Sequence, residues 1–273
     1  MPSVAPAATP TAWAKGQGRV PGYLRSVQVI IHLESLKMIK DPLELASRAL
    51  QPVLWLLLFG GALARTKMID TGGLGYQAFL APGILAQSIT FVSIFTGLSI
   101  IWEKDMGLMQ KILSTPISRS ALVLGKMLSA SVRSFFQLAV ILLLALGLGV
   151  PLVLTAASVT GTLVFMVLGS ALFSGLSMVI ASVVRTRERM MGIGQLVTMP
   201  LFFASSALYP VSAMPSWLRA LVVVNPMSYL VDGLRGLLLA LPGASPWVDA
   251  GVLLAVSAGL LAVASWRYPK LLL

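Results

Sequence analysis

The sequence contains no cysteine, and His32 is its only histidine among 273 residues. Without cysteine the chain can form neither disulfides nor thiol-based sites. One histidine with nine acidic residues leaves little material for a metal site, so we expect no metal bound by this chain. His32 has no candidate proton-relay partner in the apolar segments, and we interpret it as a solvated or interfacial side chain.

Charged residues are also scarce. They make up 11% of the chain, against about one quarter in an ordinary soluble domain, while 57% of the residues are hydrophobic. Such a chain cannot cover its surface with polar groups, so its solvent must be lipid. Its 20 Lys and Arg exceed its 9 Asp and Glu, giving a net charge of +11. No basic stripe with interleaved aromatic residues accompanies that charge, and we expect no nucleic-acid partner.

Several motifs that carry chemistry are missing. The phosphate-binding pattern G-x-x-x-x-G-K-[ST] does not occur, because Gly125-Lys126 is followed by Met127 and residue 120 is Ser. HExxH, GxSxG and Cys/His clusters are absent as well. No paired acids lie in the middle of an apolar run, which disfavours a proton-coupled carrier. We therefore expect a chain that is not an enzyme and binds no cofactor.

Long apolar runs dominate what remains, and about 20 apolar residues suffice for a helix to cross a bilayer. The sequence predicts an all-α integral membrane protein with six transmembrane helices, at about 47–64, 79–101, 127–149, 155–184, 191–209 and 247–266. We place Pro82-Gly83 in the first turn of the second span. Four prolines divide 210–246 into two short apolar pieces, 216–224 and 227–241, predicted as re-entrant or surface helices on the outer side.

Three further segments complete the predicted organisation. Residues 1–21 read as a disordered tail, because they contain no apolar run. Residues 22–46 mix apolar and charged side chains, which predicts an amphipathic helix along the membrane surface. Residues 47–266 form the predicted transmembrane domain, and 267–273 a short basic tail.

The distribution of positive charge predicts the topology. Segments 1–46, 102–126, 185–190 and 267–273, together with Arg48 and Arg133, hold 16 of the 20 Lys and Arg. Because positive charge favours the cytoplasmic side, both termini should be cytoplasmic in a multi-pass protein of the cytoplasmic membrane. Arg133 lies near the end of its span, and we interpret it as a side chain that snorkels towards the headgroups.

The stretch 102–126 is the most charged interruption between two apolar runs. At helical spacing one side carries Met106, Leu108, Met109, Ile112 and Leu113, while Lys104, Gln110, Lys111 and Ser114 fall on the other. Thr115-Pro116 ends that helix. Periodicity leaves two interpretations open: an interfacial helix among headgroups, or a helix that transmits work from a soluble partner. Glu103 and Asp105 are interpreted as pairing with Lys104 or with water.

An ordered set of short motifs resembles the ABC-2 type permeases, the membrane subunits of one class of ATP-binding-cassette exporters. The similarity covers roughly residues 20–266 and is greatest to the daunorubicin-resistance-like branch. Its motifs are Glu103, Lys104, Asp105, Gly107, Thr115-Pro116 and Gly125-Lys126; Pro82-Gly83-Ile84; Arg185 to Gly192; Tyr209-Pro210 through Arg219; Asn225-Pro226-Met-Ser-Tyr229; and Asp232-Gly233-Leu-Arg235. The chain departs from the family at Leu108-Met109-Gln110, where Thr-Leu-Glu is common.

The resemblance implies that ATP hydrolysis and transport are carried out by separate subunits. A separate cytoplasmic ATPase subunit would bind ATP and Mg, and a short coupling helix near 103–115 would sit in a groove on that subunit. The implied contact residues are Glu103, Lys104, Asp105, Met106, Gly107, Leu108, Met109, Ile112, Leu113, Thr115 and Pro116, with a second cytoplasmic turn at Arg185, Arg187, Glu188 and Arg189. A homodimer, or a pair with a similar permease, would enclose a substrate path. Its candidates are Gln87, Phe91, Phe95, Met199, Phe202 and Phe203.

The expected function is export of an amphiphilic or hydrophobic compound, drug-like or lipid-like. Export of a lipid-linked polysaccharide is the alternative within the family. A membrane-embedded lipid-modifying enzyme would need convergent acid, base or metal groups, and the sequence shows none. A non-transport assembly protein is the third possibility, and a neighbouring gene for a Walker-type ATPase would argue against it.

Overall fold

The computed structural model describes residues 22–40, 42–64, 71, 73–106, 117–184, 186–241 and 245–268. Within these ranges all regular structure is helical, which confirms the all-α prediction. The α-helices are α1 (Tyr23–Lys40), α2 (Pro42–Ala64), α3 (Tyr76–Asp105), α4 (Arg119–Gly147), α5 (Ala156–Ala181), α6 (Arg187–Phe203), α7 (Ser216–Val224), α8 (Pro226–Leu239) and α9 (Pro246–Arg267). A short 3₁₀ turn, Val211–Ala213, precedes α7.

Side-chain caps mark the beginnings of three helices. The hydroxyls of Ser118 and Thr155 accept hydrogen bonds from backbone N–H groups in the first turns of α4 and α5. Asn225 does the same for α8, accepting from the N–H of Met227 at 2.9 Å, and Pro226 follows it. These are the residue types that satisfy the unpaired N–H groups at a helix start, and proline fits the first helical position.

Four described helices are long and apolar enough to cross a membrane: α3, α4, α5 and α9. The pair α7 and α8 passes the same test if taken together, but the two helices meet at 83° at Asn225. That geometry is either a broken span or a re-entrant loop, and it coincides with the two apolar pieces predicted between the last two spans. Among the described residues the structure thus contains four or five candidate spans, and the count of six stays a prediction that would need α2 and α6.

Several boundaries differ from those predicted. The surface helix 22–46 is divided, because α1 ends at Lys40 and α2 begins at Pro42. Helix α3 begins at Tyr76, so Pro82 lies inside it rather than in its first turn. Helix α4 begins at Arg119, eight residues before the apolar run at 127, and it carries Lys126. Hydropathy locates the apolar centre of a span and leaves its polar ends undefined.

Helix α3 is the centre of the bundle and packs against α2, α4, α5, α6 and α8. In its most apolar stretch 78% of the residues are buried, against 17% for α9, which lies at the periphery. Helices α3 and α5 approach closely at Gly97, where an added Cβ would lie 2.6 Å from the carbonyl oxygen of Ser174. The Ser177 hydroxyl donates to the Ile94 carbonyl at 2.6 Å across this crossing. Small residues allow this contact between helices in lipid.

Helix α8 is held in the protein by Arg235, whose side chain is buried. Its guanidinium lies 3.9 Å above the Phe79 ring, donates to the Ser206 carbonyl at 2.8 Å and to Asp232 at 3.3 Å. An exposed pair at positions 232 and 235 would contribute at most about 1 kcal/mol. The pair forms, but burial of Arg235 makes it an anchor that connects α8 to α3 and to the segment after α6.

Candidate functional site

Five charged side chains meet at one end of the bundle, where α3 ends and α4 begins. We call Glu34, Lys37, Glu103, Lys126 and Arg133 the charge cluster. Nζ of Lys126 lies 2.5 Å from Oε2 of Glu103 and 3.3 Å from Oε1 of Glu34. Nζ of Lys37 lies 2.7 Å from Oε1 of Glu103 and 2.9 Å from Oε1 of Glu34. Two carboxylates are thus shared by cations from α1 and α4.

Arg133 completes the cluster from about two turns beyond Lys126 on α4. Its Nη2 lies 3.9 Å from Oε2 of Glu34, and its Nη1 donates to the Thr96 hydroxyl at 3.3 Å. The side chain is only 12% exposed. The snorkelling interpretation is therefore wrong: a carboxylate inside the protein supplies the partner that the headgroups were expected to supply.

Three members of the cluster are buried, and their burial requires that their charges be paired. Glu34, Glu103 and Lys126 are each less than 7% exposed. Removing one member of a buried pair is strongly destabilising, by about 3–5 kcal/mol, because an unpaired charge then remains in the low-dielectric protein interior. The arrangement therefore fixes α1 against α3 and α4 in one geometry.

The backbone brings α1 close enough for these contacts. Val27, Ile30 and Glu34 lie on one buried face of α1, at spacings of three and four residues. Where this face meets α4, a Cβ added to Gly125 would lie 2.7 Å from Cβ of Ile30. The glycine before Lys126 thus lets the two helices approach, and the lysine that follows reaches the carboxylates.

The local charges change the proton affinities of the groups outside the spans. Burial alone would raise the pKa of Glu34, but Lys126, Lys37 and Arg133 outweigh it and lower this pKa to about 2. Burial opposes the charge of Lys37, yet the carboxylates of Glu103 and Glu34 raise its pKa. Tyr268, just after α9, is fully buried, and its burial and the nearby Glu103 raise the pKa of its phenol. The end of α9 therefore reaches the same site.

The predicted coupling residues are only partly within the described structure. Glu103 belongs to the charge cluster and pairs with Lys126 and Lys37. Lys104 and Asp105 form the end of α3, and Met106 follows it, exposed. Gly107, Leu108, Met109, Ile112, Leu113, Thr115 and Pro116 lie outside the described residues, as does Arg185. In the second turn, Arg187 begins α6, and Glu188 and Arg189 are exposed.

The six substrate-path candidates form two groups. The first group lies along α3 and consists of Gln87, Phe91 and Phe95. The ring centroids of the two phenylalanines are 4.6 Å apart. Arg48 of α2 lies 5.3 Å from the Phe95 ring centre. A small cavity between α2 and α3 is lined by Arg48, Gln51, Pro52, Gln87, Ser88 and Phe91.

The second group lies on α6, against the aromatic side chains of α2. Phe202 is buried, and its ring centroid lies 5.7 Å from that of Trp55 in an edge-to-face arrangement. Its neighbour Phe203 is exposed, and its ring centroid lies 6.5 Å from that of Trp55. Met199 is half-buried on the same helix. An open cavity of about 300 Å³ on α2 includes Trp55 and Phe59 in its lining. Helix α2 thus contacts both groups of candidates.

Comparison with known proteins places this architecture in a family. The sequence pattern of the ABC-2 type transporters matches residues 25–239, which extend from α1 to the end of α8. The chain belongs to the ABC-2 type transporter family. The matched region includes every member of the charge cluster. ABC-2 permeases carry no ATPase site of their own, in keeping with the missing phosphate-binding pattern.

Individual relatives are transport proteins by name. The permease is 28% identical over 217 residues to "Putative transport permease ycf38" of Cyanophora paradoxa, covering 78% of this chain and 74% of the relative. It is 29% identical over 226 residues to "Daunorubicin resistance ABC transporter permease protein DrrB1" of Streptomyces coeruleorubidus, covering 81% and 77%. "Probable multidrug ABC transporter permease YbhR" of Escherichia coli K12 is 29% identical over 161 residues, covering 58% and 43%.

Sequence reasoning did not identify Glu34, Lys37, Lys126 and Arg133 as one site of the permease. One signal was present: Glu34 continues the apolar stripe of Val27 and Ile30, where a carboxylate needs a buried partner. The partner's identity was not accessible, because Lys126 lies 92 residues further along the chain. In the part of the permease that the structure describes, no group of His, Asp and Glu could hold a metal ion.

The low pKa of Glu34 makes the stability of the permease depend on pH. Its folded-state value of about 2 lies below the ordinary 4.5, so its contribution is complete above about pH 4.5 and is lost as pH falls through 2. We expect Glu34→Gln to lower the unfolding free energy by on the order of 3 kcal/mol at pH 7. In detergent, the gap in melting temperature between wild type and variant should narrow steadily from pH 5 to pH 3. A gap that is constant over this range would contradict the assignment.

Proposed function

We propose that this chain is the permease subunit of an ATP-driven exporter that moves an amphiphilic or hydrophobic compound, drug-like or lipid-like, out across the cytoplasmic membrane. The observation that carries the proposal is the charge cluster, which connects the end of α3 to α1 and α4 immediately beside the segment 106–116. A displacement applied to that segment would reach the central helix of the bundle.

The energy source we propose is a separate cytoplasmic ATP-binding-cassette subunit that binds ATP and Mg. Its nucleotide-driven closure would push the coupling helix, near Glu103 to Thr115, and tilt α3 and α4 together. The paired charges support such a rigid transfer, because α3 cannot move alone without separating the buried ion pair between Glu103 and Lys126. The two positions of the bundle would open its path to one side of the membrane and then to the other.

Two permeases, as a homodimer or with a similar second chain, would enclose the path. The aromatic surface formed by α2, α3 and α6 supports this, because it carries Phe91, Phe95 and Phe203 at or near the protein surface. Aromatic and methionine side chains suit apolar ligands with loose selectivity. Two relatives carry drug resistance or multidrug in their names, which favours a drug-like compound over a lipid-linked polysaccharide.

The orientation we propose places both termini in the cytoplasm. Tyr268 is buried at the charge cluster, so the end of α9 lies at the same end of the bundle as α1. The excess of positive charge in these segments assigns that end to the cytoplasmic face. The bent pair α7 and α8 then lies towards the outer face, where it would close the exit of the path.

Coupling is tested by charging the apolar face of the segment. We expect Ile112→Glu combined with Leu113→Glu to reduce export more than tenfold, because the partner's groove would have to bury two carboxylates. The permease is reconstituted with its ATPase subunit, and ATP-dependent transport of daunorubicin, a fluorescent compound named by one relative, is measured.

The matched control changes the opposite face of the same segment, with Lys111→Gln and Ser114→Gln. These substitutions should leave transport within about twofold of wild type, because they keep polar side chains on the face that the helical periodicity predicts to be polar. Unchanged export in the doubly charged variant would disprove coupling through this segment. Absence of ATP-dependent export by the wild-type complex would favour a non-transport assembly protein.

A further inference from the structure

A cavity of about 350 Å³ lies between α1 and the neighbouring ends of α3 and α4. Its apolar wall consists of Ile30, Leu33 and Leu36, and its charged end includes Lys37 and Lys40. The substrate-path candidates lie elsewhere, on α3 and α6. The two parts of the cavity differ in chemistry, as the two parts of an amphiphile do.

The apolar wall is open at the surface of α1. Leu33 is 48% exposed and Leu36 is 42% exposed, although the opposite face of α1 is buried against α4. Positions 33, 36, 37 and 40 are three to four residues apart and share one face of the helix. A single ligand could therefore contact the leucines and both lysines at once.

Among the described residues, the charged end has an excess of positive charge. Lys37, Lys40, Lys126 and Arg133 carry four positive charges, against two negative charges on Glu34 and Glu103, which leaves +2 among these described side chains. Both carboxylates are already shared by Lys37 and Lys126. Lys40 is exposed and makes no ion pair with another described residue. An anionic group fits this end.

We propose that this cavity binds an anionic phospholipid from the leaflet that α1 faces. The phosphate would contact Lys40 and the exposed side of Lys37, and the acyl chains would cover Leu33 and Leu36. Basic pockets beside membrane helices bind acidic headgroups in this way, and an amphipathic surface helix places its apolar face at the same depth. Because the phosphate would contact cations of α1, its binding would stabilise the position of α1 over the charge cluster. The proposal is independent of what the permease transports.

The test uses the purified full-length permease in a neutral maltoside detergent. Dioleoylphosphatidylglycerol, dioleoylphosphatidylcholine and inorganic phosphate are titrated separately. Melting temperature is followed by tryptophan fluorescence, and retained lipid is counted by native mass spectrometry. We expect phosphatidylglycerol to raise the melting temperature by several degrees with one retained lipid per chain, and the other two to have little effect.

Two variants locate the site. Lys40→Gln should weaken the phosphatidylglycerol effect at least fivefold, without changing the melting temperature in detergent alone, because Lys40 is exposed. The matched control is Arg25→Gln, another exposed cation of α1 that does not line the cavity, and it should behave as wild type. Leu33→Ser should weaken lipid retention as well, because the acyl chains lose their wall.

Four outcomes would overturn the proposal. Equal effects of Lys40→Gln and Arg25→Gln would mean that the lipid is held by non-specific electrostatic attraction to the cations of α1. An equal effect of phosphatidylcholine would exclude recognition of the anionic headgroup. A shift caused by inorganic phosphate alone would indicate a small-anion site. Lipid binding retained in Lys40→Gln, with loss of affinity for the ATPase subunit, would assign this face to a protein partner.

Discussion

Replacing Glu103 with glutamine is expected to lower the unfolding free energy of the permease by about 3–5 kcal/mol. The same change should reduce ATP-dependent export more than tenfold. Glutamine preserves the volume of the side chain and removes its charge. Lys37, Lys126 and Arg133 would then share Glu34 alone, leaving three cations with one carboxylate in a buried site. The end of α3 would lose its charged contacts to α1 and α4 at once.

The measurement combines thermal unfolding in detergent with transport by the reconstituted complex. Glu188→Gln is the control, because Glu188 is an exposed acid at the start of α6. Exchanging the partners, Glu103→Lys with Lys126→Glu, should recover part of the lost stability, since the pair would form again with reversed sign. If Glu103→Gln melted and transported like wild type, the charge cluster would have no role in coupling α1 to α3.

Substitution of Gly97 by valine is the second large expected effect. A Cβ at this position would lie 2.6 Å from the Ser174 carbonyl oxygen and 2.7 Å from Cβ of Ser177, so α3 and α5 would have to separate. Overpacking of this kind costs about 1–3 kcal/mol, and separation would also break the hydrogen bond from Ser177 to Ile94. The expected result is a lower melting temperature together with reduced yield of folded protein.

Gly259→Val provides the matched control for this substitution. Gly259 lies in α9, is exposed and has no neighbouring atom within 4 Å of an added Cβ. Its variant should unfold within about 0.5 kcal/mol of wild type, the usual range for surface changes. Equal destabilisation by the two valines would show that loss of glycine, rather than the α3–α5 contact, determines the effect.

The helical class and the approximate spans could be predicted because hydropathy reports directly on burial in lipid. The bend at Asn225 was also visible, since Pro226 and the neighbouring prolines interrupt the apolar run. The ends of the helices were less well defined. Helix α4 begins with Arg119 and contains Lys126, and charge counting alone assigned both residues to a loop.

The family motifs include two members of the candidate site, Glu103 and Lys126, but do not indicate that the two side chains pair. The pairing of Glu103 with Lys37 and Lys126 depends on the packing of three helices, and a single sequence does not report which charges meet. For the same reason Arg133 was assigned to the headgroups, although Glu34 and Thr96 lie beside it. Local periodicity shows which face of a helix is buried, and not what it is buried against.

The separation of the paired charges along the chain has a consequence for biosynthesis. Glu34 meets Lys37 within its own helix, but Lys126 is made 92 residues later. At about 5–20 residues per second, roughly 5–20 seconds pass between the two. During that interval α1 lacks its charge partners on α4, Lys126 and Arg133. The first helix of the permease is therefore made well before the helix that holds it in place, and synthesis of α4 determines when the buried charges of α1 can be paired.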